Sequence, residues 1–220
     1  MERILKVTGR GKKVLHPNKI EITLVLTQVF KEYSLALVNA SNDVRKIKES
    51  LTSLGFKDKD IKTSHFSIKA EYESKRNLEG GFVTTLVGYR YNQNLNLKIN
   101  VDNELLGKII FMVGQTNVNP KIEIRYLVED IESIKNELIE IAIKDGQNKA
   151  SIIASAASLM LGEIINIDYS FQEDHFSSRT MEMDVAQFKS NKSYDIDLTP
   201  EDIEISDSVN ITYIIKQDSK

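Results

Sequence analysis

Apolar and polar residues alternate along much of this chain, and between the alternating stretches a three/four spacing takes over. Alternation marks a half-buried strand; the three/four spacing marks an amphipathic helix. From Ile4 to Val14 the pattern is strand-like, with Leu5, Val7, Gly9 and Gly11 on one face. Glycines in a strand mark a bulge or a close backbone approach. Ile20, Ile22, Leu24 and Leu26 then alternate with Glu21, Thr23 and Thr27. Tyr33, Leu37, Ala40, Val44, Ile47, Leu51 and Leu54 predict a helix ending at Gly55, with Ser41, Asn42, Asp43, Arg45, Lys46 and Lys48 on its wet side.

Further strands are predicted around Phe66, Ile68, Ala70 and Tyr72, and from Phe82 to Ile99. In the second, Tyr89, Tyr91, Leu95, Leu97 and Ile99 face one way and Arg90, Asn92, Asn94, Asn96 and Lys98 the other. Lys75 to Gly81 is the hairpin loop between them. Asp102 caps a short helix with Leu105, Leu106, Ile109 and Val113, and Gly114 as its stop. Ile122, Ile124, Tyr126 and Val128 form the next strand, Ile165, Ile167, Tyr169 and Phe171 another, and Ile203 to Ile215 the last, with Asp207 its single polar interruption.

One long helix is predicted from Asp130, its cap, to a stop at Leu161-Gly162. Ile131, Ile134, Leu138, Ile141, Ile152, Ile153 and Leu159 make an aliphatic stripe. Leu138, Ala142, Gly146, Ala150 and Ala154 make a second ridge of mostly small residues at four-residue steps. Such a ridge admits another backbone at close range, from a sheet of this chain or a helix of another.

Strand–helix–strand order recurs three times. Parallel sheets covered on both faces read as continuous apolar runs, and these strands do not. The expected class is therefore α+β: largely antiparallel sheet with the helices packed on one face, and one long helix near residues 130–161. The expected organisation is a single domain over 1–220, with sub-lobes at 1–75 and 82–220 as a compatible division. Between Gln172 and Asp202 the pattern fails, and a stretch that long predicts a mobile or partner-ordered excursion.

With 41% hydrophobic and 28% charged residues, the 220-residue chain can bury a sizeable core. Its formal net charge of −3 argues against nucleic acid as a main partner. Cysteine is absent, which removes disulfides and thiolate metal sites. No run of about 18 apolar residues offers a membrane span. The opening residues lack the apolar run of about seven to fifteen residues of a secretory signal, so the expected location is the cytoplasm.

Candidate chemistry is sparse. Gly9-Arg10-Gly11-Lys12-Lys13 fails as a phosphate loop, since Lys6 stands where the first glycine belongs and Lys13 where a Ser or Thr must follow. His16, His65 and His175 have no second histidine at helical spacing, and Glu173-Asp174-His175 reads as a solvated loop rather than a metal site. Asp195 and Asp197 are spaced like paired carboxylates but read as charged loop. Asp207, in an apolar row, needs a partner if buried, and otherwise marks a bulge or a subunit contact. No catalytic, cofactor or metal residues emerge, and the expectation is a protein that is not an enzyme. Tyr89, Arg90, Tyr91 and Tyr126 are the candidate ligand-binding residues, with core packing the commoner role for such tyrosines.

Several stretches together resemble the SIMPL-domain family, which includes bacterial periplasmic immunogenic proteins. They are Val7-Thr8-Gly9-Arg10-Gly11, Gly55-Phe56, Asp60-Ile61-Lys62-Thr63, Gly88-Tyr89-Arg90-Tyr91 with Leu95-Asn96-Leu97, Leu106-Gly107-Lys108-Ile109-Ile110, the long helix with Asp145, Lys149-Ala150 and Leu161-Gly162, and the closing strand after Pro200. The resemblance implies an α+β fold, a poorly defined biochemical role and no catalytic residues. It also implies that members are often exported, that some build large channel-like homo-oligomeric rings, and that others have a loose link to stress tolerance. The leading expectation is a self-associating, non-enzymatic protein, with the polar sheet face, the small-residue ridge and the 172–202 stretch as contact surfaces. The alternative is a small-ligand-binding module built on the three tyrosines and Arg90.

Overall fold

The structure, a computed structural model, describes residues 3–76, 81–169, 177–184 and 198–217. The chain divides into two units, which it visits in turn. Met1–Pro17, Val128–Ser178 and Glu201–Lys220 make the first; Asn18–Leu127 and Arg179–Pro200 make the second. Both hold antiparallel sheet with helix on one face, so the α+β expectation holds.

In the second unit, strands β2 (Lys19–Phe30), β3 (Ile61–Arg76), β4 (Phe82–Asn100), β5 (Lys121–Leu127) and β7 (Met181–Asp184) pair in the order β3-β4-β2-β5-β7. The central strand carries the cleanest alternation, and Ile20, Ile22, Leu24 and Leu26 are all fully buried. Its register sets Ile22 between Leu97 and Ile124, and Leu24 between Leu95 and Ile122. These rows form one greasy face, and cross-strand aliphatic pairs stabilise it. Helices α1 (Tyr33–Thr52) and α2 (Asn103–Gln115) bury their inner rows in the same core cluster. Asp102 caps α2 as its position predicts, its carboxylate accepting from the Leu105 amide at 2.9 Å.

Part of the expected 172–202 excursion is strand. Met181 and Met183 of β7 pack on the core while β7 pairs with β5. Four residues amid polar neighbours carry too short an alternation to stand out. Residues 172–176 and 185–197 of that stretch lie outside the described residues, as do 77–80 of the expected 75–81 loop and Phe171 of the strand expected around Ile165.

In the first unit, β1 (Ile4–Leu15), β6 (Leu159–Asp168) and β8 (Ile203–Gln217) pair in the order β1-β8-β6, and α3 (Ile131–Ala156) lies on one face. Asp130 caps α3, accepting from the Ser133 amide at 3.3 Å. The helix ends earlier than its pattern predicts. Ser158 takes the left-handed conformation, with φ 53, and turns the chain into β6. Gly162, expected as the helix stop, is instead a strand glycine beside a register shift, where a Cβ would come within 2.8 Å of the Ile214 carbonyl oxygen. Leu-Gly reads alike at a helix end and at a bulge, and pairing with β8 decides which forms.

Of the two faces read on α3, the small one is inside. Leu138, Ala142, Gly146, Ala150 and Ala154 are buried, with Ile134, while Ile141, Ile152 and Ile153 are exposed. The cause is the glycine pair of β1. A Cβ on Gly9 would lie 1.9 Å from the Ala142 carbonyl oxygen, and one on Gly11 2.2 Å from that of Leu138. Helix backbone therefore rests on strand backbone, and from Ala142 to Ala154 every inward residue is alanine or glycine. The ridge thus meets a sheet of this chain and is not a surface left for another copy.

The same approach closes an open strand edge. Among the described residues β1 has one strand neighbour, β8, so a row of its amides and carbonyls faces away from the sheet. The Arg10 amide donates to Asp145 Oδ2 at 2.7 Å, and Lys149 Nζ donates to the Thr8 carbonyl at 3.2 Å. Asp145 and Lys149 also pair with each other at 2.6 Å, one turn apart on α3. Together they supply the acceptor and the donor that a neighbouring strand would otherwise bring.

Two outcomes follow from this contact. Gly9→Ala must push two backbones apart, so its cost should reach the top of the about 1–3 kcal/mol range of overpacking or exceed it. An unfolding midpoint equal to wild type would show that α3 can retreat freely. The Asp145 carboxyl is held below its ordinary 3.8 by the Lys149 ammonium and then by the Arg10 amide. A carboxylate with a lowered folded pKa stabilises above its unfolded pKa and loses that contribution as pH falls through the folded value. Asp145→Ala should therefore flatten the acid limb of the stability profile and speed hydrogen exchange of the Arg10 amide; an unchanged exchange rate would refute the edge closure.

Candidate functional site

The four residues read as candidate ligand contacts do not converge. Tyr91 and Tyr126 point into the core of the second unit, at 1% and 0% exposure. The Tyr91 hydroxyl donates to Asp43 Oδ2 at 2.6 Å, and its ring stacks on Phe30. The Tyr126 hydroxyl donates to the Leu198 carbonyl at 3.3 Å. Burial pushes both phenols up, and Asp43 adds to the effect at Tyr91. Tyr89 meets Tyr33 edge to face at 5.8 Å. Arg90 is one residue on, so strand alternation turns it to the opposite face. There its guanidinium grips Glu71 through Nε at 2.5 Å and Nη2 at 2.6 Å. That pair holds the arginine up and the carboxyl down.

Asp43 was expected on the wet side of α1 and is instead 7% exposed. It falls in the inward row Ala36, Ala40, Asp43, Ile47, Leu51. That spacing was the available signal: a carboxylate in an apolar row needs a buried donor, and Tyr91 is it. Lys46 lies 3.4 Å from its other oxygen.

His16, His65 and Asp207 each have a partner as well. His16 Nδ1 meets Asp202 at 2.5 Å on an open surface. His65 Nε2 meets Ser67 at 3.2 Å. Asp207 accepts from the Tyr169 hydroxyl at 2.8 Å, and that phenol is pushed up to about 12 by burial and then by this bond. Glu173, Asp174, His175, Asp195 and Asp197 lie outside the described residues.

Two surface features of the second unit remain. The first is a hollow of about 790 Å³ where a 3₁₀ turn, Asp58–Asp60, meets the polar side of β2, β3 and β4. Glu21 on its wall is shared between Arg125 at 2.9 Å and Lys98 at 3.5 Å. The second is an apolar arm. β2 ends at Phe30, opposite Tyr89, while β3 and β4 run on as a two-stranded ribbon, 71–76 against 82–88. Its large apolar residues stand in solvent: Phe82 at 76%, Tyr72 at 61%, and Val83, Leu86 and Val87 about half exposed. No helix among the described residues is long and apolar enough to cross a membrane.

The family model of SIMPL, described as a protein of unknown function, matches residues 5–213. Two curated relatives, each named 26 kDa periplasmic immunogenic protein, come from Brucella melitensis and Brucella abortus. Both are 24% identical over 168 residues, which cover 74% of this chain and 65% of the relative. The match thus spans a little under two thirds of those proteins. Their names correct the cytoplasmic expectation, since they point to an exported, envelope-located protein.

The buried pair gives a thermodynamic cycle. Asp43→Ala leaves the Tyr91 hydroxyl without its acceptor and should cost about 1–3 kcal/mol. Adding Tyr91→Phe to that variant removes the orphaned donor and should recover part of the loss. Strict additivity of the two changes in urea unfolding would deny the interaction.

Proposed function

The chain belongs to the SIMPL family, and from that premise we propose an exported, non-enzymatic protein of the cell envelope whose copies associate through the apolar β3–β4 arm. The periplasmic names of the Brucella relatives support the location. The exposure of the arm carries the association. A two-stranded ribbon is marginally stable alone in water, and contiguous exposed apolar surface favours a partner. Tyr72 pairs with Leu86 in register, so both lie on one side of the ribbon, and Phe82 shares that side four pairs further on. On α1, Leu35, Leu37 and Val38 are also exposed and offer a matching apolar patch. Arm onto patch is a heterologous contact. It repeats from copy to copy, and it closes into a ring when the rotation allows.

Chromatography with light scattering at tens of micromolar should give a mass several times that of the 220-residue chain. Phe82→Glu combined with Leu86→Glu should yield a monomer with an unchanged melting curve, because neither residue supports the core. A monomeric wild type, or a variant that keeps the assembly mass, would sink this reading.

A further inference from the structure

We propose that the hollow beside the 3₁₀ turn binds a phosphorylated sugar. Its volume, about 790 Å³, falls within the range of small-molecule sites. Lys59, Lys62 and Lys98 stand around it, with Glu21 and Asp60 as the acidic groups of the wall. Those two carboxylates have other engagements. Glu21 sits between Arg125 and Lys98, and Asp60 accepts from the Lys57 amide at 2.8 Å. Among the described residues no carboxylate pairs with Lys59 or Lys62. The wall thus carries three ammonium groups against two carboxylates, and the ammonium groups of Lys59 and Lys62 have no ion-pair partner among the described residues.

A phosphate monoester carries about −1.5 to −2 near neutral pH and suits a wall where ammonium groups outnumber carboxylates. Lysines bind phosphate as mobile point charges, so two of them on flexible stems suit one phosphoryl group. The rest of the wall suits a polyol. The Ser64 hydroxyl donates to Asn96 Oδ1 at 3.1 Å, which orients the side-chain amide and leaves its N–H groups to donate elsewhere. Phe56, half-buried and packed on the core, also lines the hollow beside Gly55 and gives its wall an apolar part. Gly55 makes the turn with φ +90, and nothing lies within 4 Å of where its Cβ would be, so the mouth stays open there. The net charge of −3 disfavours a polyanion.

Calorimetry on the full chain with glucose 6-phosphate and ribose 5-phosphate as probes should show saturable binding of at least one. Glucose should give none, and inorganic phosphate should bind at least about tenfold more weakly. Lys59→Gln with Lys62→Gln should weaken the sugar phosphate by about tenfold or more, with circular dichroism unchanged, since both side chains are exposed. The proposal is overturned if neither probe saturates by about 10 mM, a threshold weaker than millimolar affinity. It is equally overturned if the double variant binds as wild type does. Inorganic phosphate binding as tightly as the sugar phosphates would reject the sugar.

Discussion

Where Gly9 and Gly11 meet α3, two backbones touch with no side chain between them. Dispersion is strongest at such contact and falls steeply with a small gap. That approach sets much of the first unit. It requires alanine or glycine at every inward step from Ala142 to Ala154. It brings Asp145 and Lys149 within reach of the Arg10 amide and the Thr8 carbonyl, which otherwise form an open strand edge. It also leaves Ile141, Ile152 and Ile153 of the same helix outward. The glycines of the strand and Asp145, Lys149 and Ala150 of the helix thus serve one contact.

The second unit is held by a different rule. Its sheet is greasy on one side and wet on the other, and both helices take the greasy side. On the wet side the charges hold one another: Glu21 with Lys98 and Arg125, Lys121 with Glu123 and Glu182, Arg90 with Glu71. Exposed pairs of this kind add little to stability, typically about 0–1 kcal/mol each. Their consequence is local: they neutralise the wet face pair by pair.

Much of this was legible in the residues. Alternation located β1, β2, β4 and β8, and the side chains of Asp102 and Asp130 marked two helix starts. The small-residue ridge announced a close backbone approach. What stayed hidden depended on contacts distant in the chain. Whether Leu161-Gly162 ends a helix or enters a strand is decided by β8, some fifty residues on by the pairing of Leu161 with Ile215. Asp43 looked solvated because its neighbours Asn42 and Arg45 are; only its helical phase placed it inside. Tyr91 and Tyr126 resembled a binding wall because their hydroxyl partners, Asp43 and the Leu198 carbonyl, are 48 and 72 residues away.

Close packing and broad coverage compete in the first unit. A helix seated at glycine depth lies over β1 and β8 far more than over β6. Neighbouring strands are about 4.8 Å apart, and a helix with its side chains is about 10 Å wide, so one helix drawn down onto an edge strand cannot also roof the far edge. Met160, Ile164, Ile165 and Ile167 of β6 are left 40–51% exposed, and Ile152 and Ile153 of α3 face outward as well. The uncovered surface is therefore a geometric result of the glycine contact, not an accident of composition. Replacing the small ridge with larger residues would lift α3 and cover more of the sheet, but it would reopen the edge of β1 that Asp145 and Lys149 now close. A chain that keeps that edge shut at the expense of bare apolar area elsewhere is one for which uncontrolled strand pairing at β1 is the greater hazard.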